Sequence, residues 1–140
     1  MSTLRIIGWN EHFENATSRR LNHLRKVPLP NRHDTEFYAE LVEDHEDGPA
    51  HFGVWIALLQ LASRSSERGA FLNHAGAPLT VRQIARILRM PEALVECAIT
   101  RLKALGVLGT EVEGGVRMSG REQKGTEGKG REEQQPRAGE

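Results

Sequence analysis

Between Thr35 and Leu105, apolar side chains recur at three- and four-residue spacing in four runs, each bounded by Gly or Pro, which predicts four helices. In the first, Thr35 to Asp44, the apolar residues Phe37, Tyr38, Leu41 and Val42 stand against an acidic opposite side. Gly48 and Pro49 close it and open the next, Pro49 to Ser63. That run holds Phe52, Val54, Trp55, Ile56, Ala57, Leu58, Leu59, Leu61 and Ala62, so it is apolar nearly all round and expected at the centre of the core. Gly69 breaks the chain, and Ala70-Phe71-Leu72 reads as a very short strand.

Thr80 followed by Gln83 is a capping-box pattern that opens a third helix, with Val81, Ile84, Ala85, Ile87 and Leu88 on its apolar face. Met90-Pro91 ends it, because proline disfavours helical geometry in the preceding residue. The fourth helix runs from Pro91 to Leu105, buries Leu94, Val95, Ala98, Ile99, Leu102 and Leu105, and stops at Gly106. Val107 to Val112 and Val116 to Met118 then read as two short strands around Gly114-Gly115. Two helices joined by a sharp turn make a helix-turn-helix, and the terminal hairpin is a wing. The expectation is therefore a mainly α, α+β fold, a winged helix-turn-helix spanning 34–118.

Residues 1–33 are less periodic and read as a basic N-terminal extension. Trp9 and Phe13 could anchor it, a short helix fits between Asn15 and Lys26, and Pro28 and Pro30 impose an extended stretch. Large apolar side chains stop after Met118, so 119–140 cannot bury enough surface to offset its ordering entropy and is expected to be a disordered tail.

With 140 residues the chain suits one domain, and at 5% aromatics its core must be aliphatic. No stretch of 18 apolar residues spans a membrane, and Met1 to Asn10 lacks the pattern of a secretory signal. The single cysteine, Cys97, excludes an internal disulfide and fits the reducing cytoplasm. The net charge is zero but unevenly spread: residues 1–33 carry six Lys/Arg against two acids, and 34–50 seven acids and no Lys/Arg. A nucleic-acid binder needs a local basic face, not a basic total.

Arg82, Arg86 and Arg89 fall at i, i+4 and i+7 on the third helix, opposite its apolar side. In a helix-turn-helix that element crosses the phosphate backbone, so these three are expected to contact phosphates. Arg101 and Lys103 on the fourth helix and Arg117 on the wing are further candidates. Glu92 and Glu96 occupy the N-terminal part of the fourth helix, where bases are read, and would repel phosphates; little base preference follows.

The acids Glu36, Glu40, Glu43, Asp44, Glu46 and Asp47 read as a solvated helix face or a basic partner's docking site rather than a cation site. His12, His23, His33, His45, His51 and His74 are scattered without a zinc spacing, and Cys97 reads as a packing residue. No catalytic, cofactor-binding or metal-ligating residue is assigned, since no nucleophile elbow, P-loop or dinucleotide fingerprint is present.

Taken in order, Trp9-x3-Phe13, Ser18-Arg19-Arg20, Val27-Pro28-Leu29-Pro30-Asn31, Asp47-Gly48, Trp55, Ala62-Ser63, Arg68-Gly69 and the helix-turn-helix through Leu108 resemble small phage and prophage proteins. More distantly, they resemble the winged-helix N-terminal domain of DnaD-like replication initiators and replisome organisers. The resemblance implies a winged helix linked to DNA replication or to assembly on DNA, with DNA, replication proteins or further copies of itself as partners. A small transcriptional regulator and a winged helix that binds protein alone are the competing readings, since a fold does not decide function.

Overall fold

The computed structural model describes residues 2–112 and 115–118; the expected turn at Gly114 and the expected tail 119–140 lie outside them. The chain runs β1 (Thr3–Ile6), α1 (Trp9–Phe13), α2 (Ala16–Arg19), α3 (Glu36–Glu43), α4 (Gly48–Ser63), α5 (Val81–Leu88), α6 (Glu92–Ala104), β2 (Leu108–Val112) and β3 (Gly115–Met118). It is a mixed helix-and-strand fold in which helices pack on one small antiparallel sheet, and none of the described helices is long and apolar enough to cross a membrane.

The four helices expected between Thr35 and Leu105 all form, with ends set by local chemistry. The Thr35 hydroxyl accepts from the Tyr38 amide to start α3. Gly48 opens α4 where its backbone lies against the Val42 carbonyl, leaving no room for a side chain. The capping box of α5 is complete, Gln83 N–H to Thr80 Oγ1 at 3.1 Å and Thr80 N–H to Gln83 Oε1 at 2.8 Å.

Helix α4 is the centre. Val54, Trp55, Leu58, Leu59 and Ala62 are buried along it, and Leu41 of α3, Ile84 of α5 and Val95, Ala98 and Leu102 of α6 close around it. Trp55 meets Phe37 of α3 edge to face, with ring centroids 5.7 Å apart.

The N-terminal residues, set apart in sequence as a basic extension, enter this same core. Leu4 and Ile6 of β1, with Trp9 and Phe13 of α1, are buried in the cluster around α4. The sheet has the order β1-β2-β3, with Leu4 opposite Thr110, Ile6 opposite Leu108, and Thr110 opposite Arg117. On its other edge β1 takes up the short segment at Ala70: Phe71 N–H donates to Leu4 O at 2.9 Å and Ile6 N–H to Gly69 O at 2.7 Å. Ala70 to Leu72, expected as a short strand, thus forms bridges at Ala70 and Leu72.

A buried carboxylate fastens this N-terminal part. Glu14 accepts from Arg68 Nε at 2.7 Å, from Trp9 Nε1 at 2.6 Å and from Ser18 Oγ at 2.6 Å, and its side chain is 3% exposed. Arg68 also donates to the carbonyls of Ser18 and Leu21. The Arg68 guanidinium holds the Glu14 carboxyl down at about 2, well below its ordinary 4.5. Beside it, Gly69 has φ +94°, and a side chain there would collide with the Trp9 ring.

Two outcomes follow. Replacing Trp55, which is 6% exposed, by Ala should destabilise the fold by about 3–5 kcal/mol in chemical denaturation. The lowered Glu14 pKa makes the carboxylate stabilising above pH 4.5, with that stability lost as pH falls from 4.5 towards 2. After allowance for solvent screening this is about 2 kcal/mol. Glu14→Gln should be weaker at neutral pH and show a flatter stability profile in that acid window, which a denaturation series against pH would read out.

Candidate nucleic-acid interface

The six cations expected at the interface fare differently. Arg82 and Arg86 lie one turn apart on the exposed side of α5, and Arg89 is exposed just beyond its end. Among the described residues their side chains have no hydrogen-bond or ion-pair partner. They are three cations gathered on one helix and the turn that follows it.

That turn has an unusual residue at its pivot. Arg89 N–H bonds to Arg86 O and Met90 N–H to Ala85 O, the paired bonds of a Schellman ending, which require one left-handed residue. Arg89 takes it with φ 60°, the sole non-glycine residue with positive φ among those described. The end of α6 closes by the same pair of bonds, Gly106 N–H to Lys103 O and Val107 N–H to Leu102 O, with glycine at φ 86°. The helix therefore stops at Leu88, two residues before Met90-Pro91, because the left-handed residue ends it before the proline can.

Arg101 is a correction to the expected interface. Its guanidinium is turned inward, donating to Leu41 O at 2.9 Å, Glu40 O at 2.7 Å and His51 Nδ1 at 2.9 Å. Those carbonyls belong to the last turn of α3 and have no partner within that helix. A cation at a helix C-terminus also meets the negative end of its dipole. Arg101 thus caps α3 and ties it to α4 and α6, and it is unavailable for phosphate.

Lys103 is half-buried and lines a cleft of about 380 Å³ beside Thr80, Val81, Ile99 and Thr110. It faces the start of α5, away from the exposed stripe of Arg82 and Arg86. For Arg117 the backbone pairs with Thr110, and its side chain lies outside the description. Glu92 and Glu96 are both exposed on α6, with Glu92 in the first turn, where a carboxylate complements the helix dipole.

One proximity was not legible in the sequence. His45, Asp47 and His51 bring a ligand atom each within 4.8 Å of one another, and the two imidazoles stand 4.8 Å apart. Cys97 Sγ lies 4.0 Å from His45 Nε2. Their hydrogen bonds decide what the group can do. His45 Nδ1 accepts the Asp47 amide at 2.9 Å. His51 Nδ1 faces a guanidinium, which can only donate. Both neutral rings therefore carry their proton on Nε2, neither offers a free lone pair to a cation, and Arg101 adds positive charge beside them.

His51 is fully buried, and its Nε2 has no partner among the described residues. Burial, then the charges of Arg101 and His45, push its pKa below the ordinary 6.5, against an opposing pull from Asp47.

Arg101→Ala should therefore cost about 2–3 kcal/mol, by orphaning two carbonyls and a buried imidazole nitrogen, while leaving any salt dependence of DNA binding unchanged. Because the folded state keeps His51 neutral, the unfolded chain binds the proton first. Stability should then be full above pH 6.5 and fall as pH drops below it. His51→Gln should remove that loss in a denaturation series between pH 7.5 and 5, above the window of Glu14. Arg89→Gly should raise stability by about 0.5–1 kcal/mol by relieving left-handed strain, measurable as a shift in the denaturation midpoint.

No protein-family model, curated protein or solved structure matches the chain.

Proposed function

We propose that this chain is a winged-helix protein that binds nucleic acid, with α5 and α6 as the helix-turn-helix and β2–β3 as the wing. The observation that carries the reading is the exposed, unpartnered set of Arg82, Arg86 and Arg89 on α5 and its turn. In a helix-turn-helix, residues there position the protein on phosphates. The role is binding rather than catalysis, in phage or prophage DNA replication or in assembly on DNA, as the resemblance of residues 9–108 implies.

Base reading is weak in this proposal. Glu92 and Glu96 stand at the end of α6 that would enter a groove, and Arg101 is engaged with α3. The same two glutamates favour a second reading, a winged helix whose exposed α6 face docks a basic protein surface without DNA.

A salt titration separates the two. With Arg82, Arg86 and Arg89 as the principal contacts, the log–log slope of duplex affinity against salt should be about −3, at roughly −0.9 per phosphate contact. Replacing all three by Ala should bring the slope close to zero without unfolding the domain, since these residues are exposed. Absence of salt-sensitive binding to single- or double-stranded DNA at low salt would refute the nucleic-acid reading.

A further inference from the structure

Between Asn15 and His33 the chain carries five cations, Arg19, Arg20, Arg25, Lys26 and Arg32, and no acid. Past α2 it has neither helix nor strand. Two of the five are engaged: Arg19 donates to the Asn10 carbonyl and Arg32 pairs with Asp34. Arg20, Arg25 and Lys26 are exposed, with no side-chain partner among the described residues.

This segment does not stand apart from the helix-turn-helix. His23 and Leu24 form one wall of a groove of about 720 Å³, whose other sides include Arg64, Leu72, His74 and Ile87. Ile87 lies on α5 between Arg86 and Arg89 and is 45% exposed. The groove thus has cations along its borders and an apolar floor of Leu24, Leu72 and Ile87. Its volume falls within the roughly 300–1,000 Å³ of pockets that bury one small molecule, which suits a nucleotide and cannot admit a duplex. A duplex also turns its bases inward, whereas a single strand presents them to apolar surface while its phosphates meet cations.

Building on the nucleic-acid reading above, we propose that this groove holds one unpaired nucleic-acid strand. Arg20, Arg25, Lys26 and Arg64 meet its phosphates, and its bases lie over the apolar floor. The protein then has two contiguous surfaces, the α5 arginines for a duplex backbone and the groove for a single strand beside it.

The test measures anisotropy of the full chain with labelled oligothymidylate, an abasic strand of the same length and a hairpin duplex. The combined change Arg20→Ala, Arg25→Ala, Lys26→Ala should weaken oligothymidylate binding about tenfold. It should also lower the salt slope by about two units, at roughly −0.7 per single-strand contact. Duplex binding should change less than about threefold, and the abasic strand should bind wild type about fivefold more weakly than oligothymidylate. Unchanged oligothymidylate binding by this variant, an equal loss on the duplex, or equal binding of the abasic strand would each overturn the groove. Wild type that binds duplex alone overturns the groove and leaves the α5 surface standing. If the variant lacking Arg82, Arg86 and Arg89 keeps full duplex affinity while the groove variant loses oligothymidylate, the α5 surface falls and the groove stands.

Discussion

The constraint on which the structure depends is that α4 is apolar on nearly every side. A helix of that kind cannot lie on a surface; it must be surrounded. One helical neighbour covers one side only, so α3, α5 and α6 all pack around it, and the N-terminal strand and α1 complete the enclosure. This is why Leu4, Ile6, Trp9 and Phe13 belong to the core. It is also why Glu14 can be buried: Arg68, on the loop just past α4, meets it there and returns its charge.

Enclosure leaves open ends, and polar groups near the core secure them. Arg101 does this for α3 by reaching from α6 to two carbonyls that α3 cannot satisfy itself. The same guanidinium presses on His51 and keeps that ring neutral, so one side chain sets both the docking of a helix and the protonation of a buried histidine. The charges left over, on α5, on its turn and on the segment after α2, are those not needed for folding. Their concentration on adjoining surfaces is the basis of the functional reading.

The helices between Thr35 and Leu105 were legible because each repeats its apolar residues at helical spacing and carries its own end signals, such as Thr80 with Gln83. The end of α5 was placed two residues late because the Pro91 signal masked a non-glycine residue in the left-handed region. Strand β1 went unassigned, although Leu4 and Ile6 alternate with Thr3 and Arg5 as an edge facing the core should. Four residues are a short signal, and no local turn links them to a partner. Arg101 was misassigned because helical periodicity shows which residues share a face, not what another helix end brings there. The meeting of His45 and His51 depends on the turn between α3 and α4, which folds the two rings together in a way their spacing does not show.

The pairing of β1 with β2 has a consequence for how the chain comes together. Arg5 and Glu111, joined by a hydrogen bond across that pair, are 106 residues apart in sequence. During synthesis β1 waits until β2 has emerged, while α3 to α6 can already collapse around local contacts. Closing so long a loop is slow compared with forming helices, so the sheet is the last part to assemble. Until it does, Leu4, Ile6, Trp9 and Phe13 remain uncovered, and that interval is when the nascent protein is most prone to aggregate.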